Sequence, residues 1–383
     1  MLKLKVLMVF LLISLLIVLP LIYYGFFVRE LNQSENPDVF VGVDVAYADL
    51  AAIKRLIDKV SSYTNLFVIG STGITYNATK LNEVCTYVYN RGMYFMIYFH
   101  QDLTQLDTQR QWIENAKIKW PQNFIGLYAY DEPGGRQLDI DEYRVFTEPA
   151  DNMTDAADKY VTQLKEILRH TREYPINSGN LTLFTSDYAL YWFDYKAGYD
   201  VVFAEFGWNY SRQLNVALDR GAAMVQNKDW GVMITWTYNH PPYIESGTEL
   251  YNDMVLAYEN GAKYILVFDT NKNYTESILE EEHFEALEQF WQYAEDNPRN
   301  YLQVEKRIAF VLPKGYGYGF RGPDDKIWGL WENDVLSLEI SHHLGSFLEE
   351  YGTKLDIIID DDIKYDDLYS QYIFWNGTII IDP

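Results

Sequence analysis

Acidic residues end five of the eight stretches of this chain that are rich in β-branched and aromatic residues. These acids are Asp44, Asp131, Glu132, Asp187, Glu205 and Asp269. Carboxyl groups held close together repel one another as anions and raise one another's pKa, which is how a general acid is obtained at neutral pH. A converging set of acids therefore indicates acid–base chemistry.

Two of these acids are the candidates for catalysis. Glu132, in LYAYDEPGG, ends one stretch and stands before Pro133, which stops the strand; Glu205, in VFAEFGWN, ends another. Glycosidic hydrolysis needs one carboxyl to protonate the leaving oxygen and a second to attack or to activate water. We expect Glu132 to be the acid/base and Glu205 the nucleophile or general base. The alternative for Glu132 is to cap the next helix or to pair with an arginine.

The other candidates are expected to bind sugar. Carboxylates accept hydrogen bonds from hydroxyl groups, a histidine can donate one, and aromatic faces can stack on sugar rings. The predicted substrate-binding residues are Asp44, His100, Tyr130, Asp131, Asp187, Trp208, Trp236, Tyr238 and Asp269. The alternative for each aromatic residue is packing in the core.

A metal site is not expected. The ligands available for zinc are His100 and His240 with Asp44 or Asp269. Metal-dependent barrel hydrolases usually carry an HxH pair on one strand, and the sequence has none. The single cysteine, Cys85, is predicted to be a buried apolar residue of a helix. We therefore predict neither a metal nor a cofactor.

The elements that carry these residues alternate regularly. Eight strands are predicted at 39–47, 65–71, 93–100, 124–132, 181–189, 201–208, 230–238 and 263–271. Amphipathic stretches lie between them, a pattern typical of parallel strands joined by crossover helices. Eight such units are the number that a closed barrel requires. The sequence predicts an α/β fold, a (β/α)₈ TIM barrel over 39–300, whose functional residues lie at the carboxyl ends of the strands.

With this layout the chain resembles the TIM-barrel glycoside hydrolases. Their acid/base glutamate ends the fourth strand, where this chain has Glu132, and the similarity covers the barrel. The commonest group has asparagine before that glutamate, where this chain has Asp131. That group also has its nucleophile on the seventh strand, where this chain offers Trp236 and Tyr238. The second carboxyl is therefore assigned to Glu205, on the sixth strand.

Residues 305–383 are predicted to form a small flavodoxin-like or amidotransferase-like α/β domain with three strands and one helix. Its first loop, 313–323, is glycine-rich but lacks the residue order of a phosphate-binding loop. We expect this segment to be a flexible loop over the barrel mouth. In layout, the attached domain is similar to that of some β-galactosidases.

The amino terminus is predicted to anchor the chain in a membrane. An apolar run over residues 6–28 is long enough to span a bilayer, and Lys3 and Lys5 precede it. No small-residue cleavage site follows, which favours an uncleaved anchor over a removed signal peptide. The positive-inside rule places the lysines in the cytoplasm. The predicted organisation is a cytoplasmic stub and membrane segment over 1–30, a linker over 31–38 and an extracellular remainder.

Seven Asn-x-Ser/Thr sequences agree with an exported chain. They begin at Asn32, Asn77, Asn152, Asn180, Asn209, Asn273 and Asn376. The net charge of -24 argues against nucleic acid as a partner, because phosphates need a basic surface. The expected partners are a carbohydrate and, through residues 6–28, a lipid bilayer.

Three functions are compatible with these features. The first is a cell-surface glycoside hydrolase. The second is a barrel that has lost catalysis and binds carbohydrate or belongs to a surface layer, which the missing seventh-strand acid favours. The third, a metal-dependent deacetylase or amidohydrolase, lacks ligands. The separation of the Glu132 and Glu205 carboxyl groups distinguishes the first two, since about 5 to 10 Å favours hydrolysis and a much larger gap favours binding.

The predicted topology can be tested with protease added to intact cells. We expect the chain beyond residue 30 to be digested, because the lysines on one side of the apolar run place it outside. A cytoplasmic protein in the same cells is the control and should be digested only after lysis. Protection of the barrel in intact cells would show that the topology is wrong.

Overall fold

The computed structural model describes residues 37–99, 106–172, 181–299, 306–361 and 368–381. The proposed membrane segment over 6–28, the linker before residue 37 and His100 lie outside the described residues. Within those ranges, no helix combines the length and the apolar composition needed to cross a membrane.

Eight parallel strands close into a barrel in the order of the chain, and the last strand pairs with the first. The predicted α/β barrel is thus confirmed. The strands are β1 (Phe40–Val45), β2 (Leu66–Ile69), β3 (Tyr94–Phe99), β4 (Phe124–Ala129), β5 (Thr182–Asp187), β6 (Val201–Phe206), β7 (Asp229–Ile234) and β8 (Tyr264–Asp269).

Helices connect the strands around the barrel. They are α1 (Leu50–Val60), α2 (Thr72–Thr75), α3 (Ala78–Asn90), α4 (Leu106–Lys119), α5 (Pro133–Asp139), α6 (Met153–Arg172), α7 (Tyr191–Ala197), α8 (Arg212–Val225), α9 (Gly247–Glu259) and α10 (Glu281–Asp296), with a 3₁₀ turn at Asp141–Phe146. In α1 the Asp49 side chain accepts hydrogen bonds from two first-turn amides, and Ile53, Leu56, Ile57 and Val60 are buried at helical spacing. Capping and an apolar stripe thus explain the helix.

Large apolar side chains fill the barrel interior. They are Phe40, Leu66, Val68, Met96, Tyr128, Phe184, Val201, Phe203, Met233, Tyr264 and Leu266. The rings of Phe40 and Tyr264 stack with centroids 4.9 Å apart, and those of Phe184 and Phe203 with centroids 5.7 Å apart. The barrel is therefore a packed core, and its open space lies at the strand ends.

A smaller mixed sheet follows the barrel. Its strands β9 (Arg307–Leu312), β10 (Leu355–Ile359), β11 (Tyr369–Phe374) and β12 (Ile379–Ile381) lie in the order β10-β9-β11-β12, and only β12 is antiparallel to its neighbour. Helix α11 (Val335–Tyr351) and a 3₁₀ turn at Gly352–Lys354 connect β9 to β10. The three predicted strands and the helix are present; β12, short and exposed, was not predicted. The described residues from Val39 onward belong to one compact unit.

The glycine-rich segment 313–323 is packed, contrary to the expected flexible loop. Tyr316 and Tyr318 are buried. The following Trp328 is fully buried, with its ring centroid 4.6 Å from that of Phe193, and its carbonyl accepts a hydrogen bond from Gln137 of α5. The aromatic residues bring the loop against the helices that follow β4 and β5, a contact that its glycine content does not reveal.

Arg220 of α8 joins the barrel to the smaller sheet. Its side chain is 1% exposed and donates hydrogen bonds of 2.7 Å to the carboxylate of Asp356 in β10 and to the side-chain oxygen of Asn260. It also donates to the carbonyl groups of Thr353 and Leu355. The second Asp356 oxygen has no hydrogen-bond partner among the described residues. The guanidinium is therefore the hydrogen-bonded counter-charge of this carboxylate, and Arg307 adds positive charge nearby.

We expect Arg220→Met to lower the free energy of unfolding by about 3–5 kcal/mol, because it leaves buried Asp356 without its hydrogen-bonded counter-charge. Replacing both partners, Arg220→Met with Asp356→Leu, should recover much of this loss. Urea denaturation measures both effects. Lys54→Met removes an exposed pair with Glu83 and should cost at most about 1 kcal/mol. If Arg220→Met were as stable as the double variant, the role of Arg220 as the counter-charge of Asp356 would be refuted.

Candidate active site

A cleft with a volume of about 570 Å³ lies at the carboxyl ends of the barrel strands. Four acids line it, Asp44, Asp131, Glu132 and Glu205. Its aromatic lining consists of Tyr98, Tyr128, Trp208, Trp236, Phe268 and Tyr274. Arg136 is the only basic side chain among the described lining residues. The cleft thus combines concentrated acid with aromatic faces.

The backbone presents Glu132 to the cleft in an unusual conformation. Tyr130 and Glu132 have φ angles of 58° and 50°, in the left-handed region that costs most residues free energy. Pro133 is the first residue of α5, a position suited to its missing N–H. The Glu132 N–H donates to the carbonyl of Ser186, 3.1 Å away. The turn that redirects the chain after β4 is therefore held by β5.

Glu132 and Glu205 both line the cleft, and their carboxyl groups lie close enough for Glu132 to raise the pKa of Glu205. Glu205 is the penultimate residue of β6 and is 6% exposed, and its carboxyl accepts a hydrogen bond of 2.7 Å from Ser186. About a third of the Glu132 side chain is exposed to the cleft. One carboxyl thus lies at the buried wall and the other faces the open space.

Tyr128 and Arg136 extend this network. The Tyr128 hydroxyl is 2.8 Å from that of Ser186 and donates to Asp131. The Arg136 guanidinium lies 3.3 Å from the Asp131 carboxylate and 3.6 Å from that of Glu132. Asp131 is therefore held between a hydroxyl and a cation, whereas Glu132 shares the same cation at longer range.

Burial and neighbouring negative charge raise the pKa values of three acids of the cleft. Burial and Asp131 raise the pKa of Glu132 to about 8, against the opposing effect of Arg136. Burial, Glu132 and Asp131 raise the pKa of Glu205. Burial, with Asp131 and Asp269, also raises the pKa of Asp44. At neutral pH the Glu132–Glu205 pair therefore retains a proton.

Two of the predicted substrate-binding acids are not among the residues that line the cleft. The Asp187 carboxylate accepts hydrogen bonds from the backbone N–H groups of Gly134, Gly135, Tyr188 and Ala189. Asp269 likewise accepts from two backbone N–H groups and from two hydroxyl groups. Both carboxylates are buried and hydrogen bonded to the loops that surround the cleft.

The aromatic candidates are divided between three places. Trp208 and Trp236 line the cleft, whereas Tyr130 packs against Phe146, with ring centroids 6.0 Å apart. Tyr238 is exposed and lines an adjacent groove that shares Trp208 with the cleft. His100 lies outside the described residues.

Four residues that line the cleft were not predicted as site residues from the sequence: Ser186, Arg136, Tyr128 and Tyr274. Ser186 lies two residues after Phe184, which the structure places in the barrel interior, but the sequence does not show which alternate residues of β5 face inward. Arg136 follows Glu132 by four residues, the spacing of one helix turn. Among the described residues, no group of three or more acidic, histidine or cysteine side chains is arranged to hold a metal ion.

The raised pKa values predict how stability depends on pH. In the unfolded chain Glu132 ionises near its ordinary value of 4.5, but in the fold it does so near 8. The folded state therefore holds more protons between these values, and stability should fall as pH rises through this window. Thermal melting from pH 4 to 9 should show a smaller fall for Glu132→Gln than for the parent.

Glu142→Gln, at an exposed acid outside the cleft, is the control and should keep the parental pH dependence. An unchanged pH dependence in Glu132→Gln would contradict the assigned protonation.

Comparisons with known proteins identify no family from the sequence. No family model and no curated protein matches the chain. Solved structures that match include a GH20 module of a pneumococcal exo-β-D-N-acetylglucosaminidase (10% identity, 68% of this chain and 85% of that one, TM-score 0.43) and a GH18 chitinase from Pseudoalteromonas aurantia (11%, 66% and 99%, 0.37). A truncated 3-deoxy-D-arabino-heptulosonate 7-phosphate synthase from Thermotoga maritima also matches (8%, 67% and 87%, 0.38). These matches include glycosidases and an enzyme of other chemistry, so the function must be argued from the cleft.

Proposed function

We propose that this protein is a membrane-anchored extracellular glycoside hydrolase. The observation that carries the proposal is the Glu132–Glu205 pair, which retains a proton and lies in a cleft with aromatic walls. Glycoside hydrolysis needs such a pair, one member protonated and the other able to become an anion.

Glu132 is the proposed general acid. Its raised pKa keeps the carboxyl protonated at neutral pH, and its partial exposure lets it reach a glycosidic oxygen in the cleft. As the oxygen accepts the proton, Glu132 becomes an anion, which Arg136 at 3.6 Å can stabilise. The arginine therefore favours proton transfer without removing the proton beforehand.

Glu205 is the proposed nucleophile or general base. Ser186 orients its carboxyl with a hydrogen bond of 2.7 Å. Retaining enzymes separate the two carboxyls by about 5–5.5 Å, and inverting enzymes by about 6.5–9.5 Å to admit a water. In either mechanism the sugar ring must lie between the two carboxyl groups. On substrate entry, Glu132 would turn from Glu205 towards the glycosidic oxygen.

The aromatic residues are proposed to hold sugar rings. The Trp236 indole N–H donates to the carbonyl of Thr270 at 2.8 Å, which fixes the ring plane. Phe268 and Tyr274 lie beside it, with ring centroids 5.8 and 6.2 Å away. A flat face held in this way suits the CH groups of a pyranose.

Asp187 and Asp269 are proposed as positioning residues rather than sugar ligands. Asp187 holds the first amides of α5, the helix that Glu132 precedes. Asp269 holds the segment that follows Tyr274 through Ile278 and Leu279. Neither has the free acceptor capacity that a sugar hydroxyl would require.

The proposed location rests on the sequence. The apolar run over 6–28, preceded by Lys3 and Lys5, suits a single membrane crossing with a cytoplasmic amino terminus. The five described glycosylation asparagines are exposed, which is compatible with modification outside the cell. They are Asn77, Asn152, Asn209, Asn273 and Asn376.

The second candidate function is binding of a glycan without cleavage. The absence of an acid from the lining residues Met233, Thr235 and Trp236 on and after β7 agrees with it.

Glu132→Gln is expected to lower kcat on a natural glycan by about 10²- to 10⁴-fold, because glutamine keeps the shape but has no proton to transfer. Folding and sugar binding should be retained. Substrates with good leaving groups should lose less, since they need no protonation. Product analysis after screening the protein against a glycan panel measures these rates.

Glu142→Gln serves as the matched control and should keep the parental kcat, because this exposed acid lies outside the cleft. Parental turnover by Glu132→Gln would refute the assignment of Glu132. Binding without turnover by the parent and the variant alike would favour the binding protein.

A further inference from the structure

The charge in the cleft is not balanced. Four carboxyl groups line it, and Arg136 is the only basic side chain among the described lining residues. The Arg136 guanidinium lies against Asp131 and Glu132, at 3.3 and 3.6 Å. Asp44 and Glu205 are therefore buried acids with no cation in contact among the described residues. Buried acids usually have a paired cation or hydrogen-bond donors.

Of the acids that line the cleft, Asp44 has the fewest groups that compensate the burial of its carboxyl. It lies near the end of β1, lines the cleft and is 1% exposed. Its Oδ1 atom lies beside Gly70, where a Cβ would come within 2.4 Å of it. The same oxygen has no hydrogen-bond partner within the described part of the chain. Asp269 differs, since its buried carboxylate has four donors.

The aromatic walls of the cleft favour a cationic ligand, as the uncompensated carboxyl of Asp44 does. Trp208, Trp236 and Tyr274 line the cleft that holds Asp44. The faces of tryptophan and tyrosine attract cations through their π electrons, most strongly where water is excluded. A carboxylate without a partner and several aromatic faces together suit an ammonium group. An anionic sugar would instead add negative charge to a cleft in which the acids already disfavour one another's ionisation.

We propose that the glycan bound in this cleft contains free amino sugars, and that Asp44 receives the ammonium group. The inference rests on the proposed function and names its substrate class. The ammonium donates a hydrogen bond to the unpartnered carboxyl and supplies the missing positive charge. A neutral hydroxyl would supply only the hydrogen bond, and an N-acetylated amine would lack the charge.

The test compares matched pairs of oligosaccharides that differ only in ammonium against hydroxyl on each ring, in several linkages. Calorimetry with the full-length Glu132→Gln chain measures binding without turnover. We expect at least one ammonium oligosaccharide to bind tenfold or more tightly than its neutral counterpart. Its N-acetylated form should also bind more weakly.

Introducing Asp44→Asn into the Glu132→Gln chain should reduce the preference for the ammonium oligosaccharide to less than about threefold. Asp151→Asn is the matched control, because it removes the same charge from an exposed residue outside the cleft and should keep the preference. Thermal melting shows whether the Asp44 variant is folded. If the Asp44 variant is unfolded, the preference of the Glu132→Gln chain for ammonium over neutral oligosaccharides tests the proposal by itself.

The proposal is overturned if no ammonium oligosaccharide binds, if neutral counterparts bind as tightly, or if the folded Asp44→Asn variant keeps the preference. Turnover by the wild-type chain separates this inference from the proposed function. Ammonium-selective binding without released product supports the ligand class and refutes hydrolysis. Hydrolysis of neutral glycans without a preference for ammonium groups supports the proposed hydrolase and refutes the amino-sugar ligand.

Discussion

The candidate site depends on the carboxylate of Asp187. It accepts hydrogen bonds from the amides of Gly134 and Gly135 at 2.5 and 2.8 Å, and from the two residues that follow it in the chain. These bonds tie the first turn of α5 to the end of β5. Because Glu132 directly precedes that turn, its left-handed backbone is held in place, and its carboxyl shares the cleft with that of Glu205. A rigid turn of this kind places an acid more accurately than a free loop would.

The buried acids of this site lower the stability of the fold. Glu132, Glu205 and Asp44 all have raised pKa values because burial and neighbouring acids disfavour their charged forms. Binding protons removes much of this cost, but only at moderate and low pH. The hydrolase and the amino-sugar ligand proposed above both use this poorly compensated acidity, one as a proton donor and the other as an unfilled cation site.

The smaller sheet and its loop support the site from outside the barrel. Trp328 accepts a hydrogen bond from Gln137, and Arg321 pairs with Asp139 at the end of the same helix. Arg220 connects the sheet to α8 through Asp356. The turn that carries Glu132 is therefore braced by β5 on one side and by the carboxyl-terminal segment on the other.

The sequence by itself determined the barrel and the two central acids. Regular alternation of apolar strands and amphipathic helices requires parallel pairing, and the ends of parallel strands meet at one rim. It also placed Glu132 before Pro133, where a strand must stop. Glu205 was identified only as an acid at another strand end, which proved sufficient to bring it to the same cleft.

Only the tertiary structure decided which strand-end residues face the cleft. Barrel strands are apolar on both faces, so the sequence does not say whether Ser186 or Asp187 points inward. The structure turns Ser186 towards Glu205 and leaves Asp187 to the backbone amides of α5. A buried carboxylate satisfied by backbone N–H groups about fifty residues away leaves no local sequence pattern. The physical reason is that closure of the barrel, and not the order of residues, brings those groups together.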